Sequence, residues 1–257
     1  TYSDNTNAGP ATANASFAGG PNYDGSNGGA GFTITKAPTT TSTTGGTFTY
    51  DGAPHGGVCT VTSPSGAALA ETVGYTPGGA SEPVNVGEYA VLCGFAGDAN
   101  HTASSGTDTI FVTARAATVT AGDGTKVYGS GADPALSPVT TSFLAADAPG
   151  ITLTQSRTAG ETVGAYPVTA QASGGNVGNY AVTYVPGSFS ITKASTTTTV
   201  TCPAGVAYTG LAHTACTAAA TGAGGLNQAL AVIYANNTNA GLASANDGIL
   251  VISGKQL

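Results

Sequence analysis

Apolar and polar residues alternate with a period of two in short runs along most of the chain, the pattern of half-buried β-strands. Phe32 and Ile34 alternate with threonines, and Phe189 and Ile191 with Ser190 and Thr192. The runs Thr47-Phe48-Thr49-Tyr50, Val58-Cys59-Thr60-Val61 and Tyr89-Ala90-Val91-Leu92-Cys93 read the same way. So do Ile151–Thr154, Tyr166–Thr169 and Tyr180–Tyr184. Turn chemistry separates them at Asp51-Gly52, Pro77-Gly78-Gly79, Asp123-Gly124 and Pro186-Gly187. One weak helical turn is predicted at Phe143–Asp147.

The pattern repeats. Short glycine-centred turns occur at Asn7-Ala8-Gly9, Asn85-Val86-Gly87, Thr162-Val163-Gly164 and Asn239-Ala240-Gly241, with their glycines almost evenly spaced. Phe17-Ala18-Gly19 recurs at the same interval as Phe95-Ala96-Gly97, and Tyr50, Tyr128 and Tyr208 keep nearly the same step. Phe32–Ala37 recurs as Phe189–Ala194, with Ile110–Thr113 between them. Several markers holding one period define a structural repeat of about 78 residues. Cuts after Ala37, Arg115 and Ala194 give two complete repeats, 38–115 and 116–194. The segment 1–37 reads as the late strands of a repeat and 195–257 as the early strands of one. Roughly seven short strands fit each unit, and their natural packing is a small β-sandwich with Greek-key connections. Lys-Ala and Arg-Ala linkers would string such units into an extended rod.

Composition narrows the function classes. Hydrophobic residues are 40% of the chain, but there is no Trp and no Met, so the cores are small. Glycine, 39 of 257 residues, favours turns over long helices. Charged residues are only 7% and the net charge is -7. Six scattered Lys and Arg cannot make the basic patch that nucleic acid or an anionic membrane requires. No apolar run is long enough to span a bilayer. Without a starting Met or a signal peptide, the chain is expected to be processed or a fragment. The four cysteines show no metal-ligand spacing and are expected to form two disulfides, Cys59–Cys93 and Cys202–Cys216, in an oxidising compartment. The repeat 116–194 has no Cys and is expected to rely on packing alone.

Particular residues carry a resemblance. Tyr128-Gly129-Ser130, Asp133–Leu136, Phe143–Asp147, Glu161–Gly164, Asn179-Tyr180 and Phe189–Ala194 together resemble the MBG domains of bacterial surface proteins. The other repeats are similar to the related bacterial immunoglobulin-like surface repeats, through Phe48–Gly52, Asn85–Tyr89 and Phe95–Asn100. The resemblance implies an all-β chain of tandem immunoglobulin-like sandwiches, like the stalks of large secreted or surface-anchored proteins. It implies no catalytic residues and no cofactor. The end, Asn246–Leu257, departs from the repeat pattern.

Candidate chemistry is thin. His55 and His213 occupy equivalent positions in different repeats and read as solvated turn residues, not metal ligands. Glu71, Glu82, Glu88 and Glu161 show no acid/base pairing, and Gly129-Ser130-Gly131 belongs to a turn, not a nucleophile elbow. Asp24, Asp51 and Asp98 read as turn aspartates; a calcium site is the alternative. Thr39–Thr44 and Thr196–Thr199 read as exposed first strands, with O-glycosylation or ice binding as alternatives. Asn14, Asn100 and Asn236 match the N-glycosylation pattern. Tyr23, Tyr75 and His101 are the loop candidates for ligand contact.

The function expected is a structural extracellular or surface protein, a stalk or filament, with no catalysis. The alternative is an adhesin that binds glycan or protein through sandwich loops. The two partial repeats are complementary, which points to head-to-tail self-association: residues 10–36 of one chain complete the 195–257 domain of the next. Gly248–Leu257 supplying the missing strand from within is the alternative.

Overall fold

The structure is a computed structural model, and it describes residues 1–239, 241 and 244–247. The possibility raised for Gly248–Leu257 lies outside these. Among the described residues the chain is all-β, with short 3-10 turns at Ala148–Gly150, Val177–Asn179 and Ala223–Gly225. The turn expected at Phe143–Asp147 thus gives way to a 3-10 turn beginning just after it. Pro149 accounts for this: it cannot donate the backbone bond that would continue a helix. None of the described helices is long and apolar enough to cross a membrane.

Residues fall into two compact units. The first comprises Thr1–Thr118, Ser142–Thr152 and Ala172–Thr183; the second comprises Val119–Thr141, Leu153–Gln171 and the described residues from Tyr184 onward.

In the first unit, Tyr2–Ser3, Gly9–Phe17 and Ser26–Ile34 form an antiparallel three-stranded sheet. Residues 10–36, expected to complete a neighbouring chain's domain, are therefore paired here within their own chain. Almost every residue of this sheet is exposed except Ala11. Residues 40–113 build two sheets. One has the order Thr40–Thr44, Val58–Thr62, Ala68–Leu69. The other has the order Gly46–Thr49, Ser104–Thr113, Gly87–Phe95, Thr72–Thr76. The edge strand Gly46–Thr49 runs parallel to its neighbour, pairing Phe48 with Val112. Tyr50, Tyr75, Val91, Ile110, Val112, Ala117 and Tyr180 form one buried cluster. Burial falls on alternate strand residues, as the period of two requires.

The second unit holds the sheet Gly124–Val127, Gly187–Thr192, Gly164–Ser173, Thr152–Arg157. Its edge strand again lies parallel to the last strand of the segment, pairing Lys126 with Ile191. The strands Arg115–Thr120 and Tyr180–Val185 run from the first unit into the second, in a sheet with Thr140–Thr141. Val119, Val168, Phe189 and Ile191 are buried in this unit. Further on, Thr196–Thr201, Thr217–Gly222 and Leu226–Leu230 form a three-stranded sheet, and Val232–Ala235 pairs with Ser244–Asp247.

Candidate functional site

Three sets of residues carry the chemistry of this chain. The first is a side-chain clasp that occurs twice in the first unit. Asn100 accepts a bond from Ala8 N at its Oδ1 (2.8 Å) and donates from Nδ2 to Asn7 Oδ1 (3.1 Å). Asn179 makes the same pair, accepting from Val86 N (2.9 Å) and donating to Asn85 Oδ1 (2.9 Å). Asn7 and Asn85 are one period apart, and so, to within a single position, are Asn100 and Asn179. In each, one amide uses both its acceptor and a donor on an Asn-X-Gly turn, and the turn belongs to the preceding sequence repeat. The two-point geometry fixes orientation as well as contact, because a primary amide presents its oxygen and nitrogen at fixed spacing. The glycosylation pattern at Asn100 therefore falls on a side chain engaged in a clasp.

Beside the second clasp sits a buried polar cluster. Asp147 accepts bonds from Tyr50 Oη (3.0 Å), Tyr180 Oη (2.5 Å) and Asn176 Nδ2 (2.7 Å). The Tyr180 hydroxyl, with Asn176 and Tyr50, holds the Asp147 carboxyl below the usual range despite its burial. Burial pushes the Tyr180 phenol up to about 12, with the Asp147 hydrogen bond adding to it. Burial pushes Tyr50 in the same direction. A carboxylate surrounded by three donors is fully solvated by the protein, so this cluster is a joint and not a reactive acid.

The second set is an ion network in the second unit. The Lys126 ammonium, 4% exposed, pairs with Asp133 (2.7 Å) and Glu161 (2.5 Å) and donates to Gly131 O. Arg157 pairs with the same two carboxylates, and its guanidinium lies over the rings of Phe189 and Tyr166. Hydrogen bonds from Arg157 and Lys126 hold Asp133 down to about 2. The expectation that the Cys-free repeat depends on packing alone is corrected by this network. The pairing was not legible because its members lie far apart along the chain and no local motif joins them.

The third set is the cysteines and a cleft. Cys59 is joined to Cys93 with Cα atoms 5.5 Å apart, and Cys202 is joined to Cys216. The first pair is buried with Val61 beneath Leu69, Val73 and Phe95. A cleft of about 390 Å³ opens beside the second, lined by Val206, Tyr208, His213, Tyr234 and Asn237 among others.

Other candidates are placed differently from their sequence reading. Tyr75, taken as a loop residue because Pro77-Gly78-Gly79 follows it, is a buried core residue of Thr72–Thr76. Its Oη accepts from Gly57 N. His55 is no solvated turn residue: its ring stacks on Phe48 at 4.3 Å between centroids. His213 bonds Thr209 Oγ1 at 3.3 Å. Glu161 belongs to the ion network, while Asp98 accepts from the backbone of Asn100 and His101 as a turn aspartate does. Tyr23 and His101 are in turns. No group of three or more potential metal ligands is found among the described residues.

The Tyr128-Gly129-Ser130 turn repeats the role of Tyr50 at its own strand end. Tyr128 N donates to Thr192 O (2.8 Å) as Tyr50 N donates to Thr113 O (2.9 Å). Gly129, at φ +76°, lies against Ala223 and Gly224, where a side chain would collide. No curated protein matches the chain. The turn falls inside the stretch 117–190, which is under a third of the chain and matches the family model of the MBG domain, YGX type.

Proposed function

We propose that this chain is a structural repeat protein of the cell surface or extracellular space. Immunoglobulin-like sandwiches, 38–115 and 116–194 with 1–37 and 195–257 flanking them, are strung into a stalk. The observation that carries this reading is the clasp. Asn100 and Asn179 hold the turns of the repeats before them with the same two hydrogen bonds. A linker that only tethers would not need this device. Matching strand orders support it too, each with a short first strand parallel to the last. A three-strand sheet with a four-strand sheet is the layering of an immunoglobulin-like sandwich. The MBG match at 117–190 and the two disulfides favour an extracellular setting. No catalytic role is proposed. Head-to-tail self-association, with residues 10–36 of one chain completing the 195–257 segment of another, is supported by the exposed sheet Gly9–Phe17/Ser26–Ile34. The cleft at Tyr208 and Tyr234 favours a second reading, an adhesin that takes a glycan or protein segment there.

Single-molecule pulling tests the stalk reading. Separate unfolding events are expected for 38–115 and 116–194. Reductant should lengthen only the first, by about 110–120 Å at roughly 3.3–3.6 Å per residue, because Cys59 and Cys93 are separated by 34 in sequence. One concerted event, or no change with reductant, would contradict it.

A further inference from the structure

Two parts of this chain are the separated halves of one packing arrangement. In 38–115, Ile110 and Val112 are 0% and 3% exposed and cluster with Tyr50 and Tyr75. Their counterparts in the following repeat, Phe189 and Ile191, are 0% and 2% exposed. The counterparts one period earlier are Phe32 and Ile34. Phe32 is 41% exposed, and Ile34 is only half-buried. The cleft holds the other half. Tyr234 Oη accepts from Cys216 N (2.9 Å) as Tyr75 Oη accepts from Gly57 N (3.2 Å), and the sequence separation is 18 in both pairs. Tyr208 stands where Tyr50 does in the repeat, yet it is 66% exposed against 1%. The described part of 195–247 contains no strand in the place of Ser104–Thr113, and the cleft lies where Ile110 and Val112 lie in the complete repeat.

We propose that the strand Ser26–Ile34 of a second copy seats in this cleft, with Phe32 and Ile34 between Tyr208 and Tyr234. This rests on reading 195–247 as the early half of a sandwich. The occupant follows from the matching residues: Phe32–Ala37 and Phe189–Ala194 differ only in having Thr33 where the other has Ser190. The incoming strand lies beside Ser244–Asp247, as Ser104–Thr113 lies beside Gly87–Phe95. Docking also brings in a clasp. Asn22 is one period before Asn100 and sits in a turn of the same form: Gly20 N donates to Tyr23 O (2.9 Å) as Asp98 N donates to His101 O (3.2 Å). On the second copy's strand, Asn22 reaches the exposed Thr162-Val163-Gly164 turn of the repeat before the cleft. Its oxygen takes Val163 N there.

Sedimentation of the whole chain over a concentration series tests this. The wild type is expected to associate head to tail. Phe32→Ser and Tyr208→Ser should each weaken association by about tenfold or more, the effect of losing one buried large apolar group. Both residues are exposed in the single chain, so circular dichroism should show both variants folded. A mixture of the two variants keeps one intact strand and one intact cleft, so it should form dimers and nothing longer. Asn22→Ala should weaken association less. A wild type that stays monomeric throughout, or variants that associate like it, overturns the proposal. If the pulling experiment still resolves separate modules, that failure leaves the stalk reading standing.

Discussion

A few residues fix how neighbouring strands and repeats approach. Gly45 and Gly122 hold matching places in successive repeats, and each leaves no room for a side chain: a Cβ would strike the backbone carbonyl of Thr109 or of Ser137. Gly45→Ala is expected to destabilise by about 1–3 kcal/mol, since backbone cannot rotate away as a side chain can. Thermal melting would show this, and an unchanged melting temperature would remove the packing argument. Asp147→Asn is expected to cost about 1–3 kcal/mol, because an amide cannot accept three donors as a carboxylate does. The pH dependence has a defined sign. Asp147 and Asp133 titrate lower in the folded chain than the ordinary value of 3.8, so their contribution is present above that value and lost as pH falls, for Asp133 toward about 2. Tyr180 titrates higher in the folded chain, so its contribution is present below pH 10.0 and lost as pH rises toward about 12. Melting temperature should fall at both ends, and Asp147→Asn should flatten the acid limb. At this scale the sequence was half legible. The Asn-X-Gly turns stood out by their period, but Asn100 and Asn179 did not, because a clasp is defined by what it touches and not by its neighbours in sequence.

Strands were the most legible elements, since a half-buried strand writes its geometry as alternation. Ile110/Val112 and Phe189/Ile191 are buried as that pattern requires. Tyr75 was misread because cis Pro77 and two positive-φ glycines follow it, and turn chemistry was extended too far back along the chain. The parallel pairing of Gly46–Thr49 and Gly124–Val127 with the last strands was not legible. Neither partner's residues differ from those of an antiparallel strand. The Lys126–Asp133–Arg157–Glu161 network was hidden for the opposite reason. In a chain with 7% charged residues each charge looked isolated, yet four of them converge on one edge strand. The segment without cysteines is thereby tied across Gly124–Val127 and Thr152–Arg157 by charge, where 38–115 is tied by Cys59–Cys93.

At the scale of the molecule, the sequence period organises cores, turns and clasps alike. The proposed stalk follows if each repeat keeps its own small core and is held to the last by one bidentate amide. Small-angle scattering of the monomeric chain, at concentrations below any association, tests that claim most directly. A single compact domain of 257 residues would have a radius of gyration of about 18 Å. The stalk reading expects a value well above this, with a long-tailed distance distribution that broadens when Asn100→Ala and Asn179→Ala release the clasps. A value matching the compact domain, or a profile indifferent to both substitutions, would contradict it.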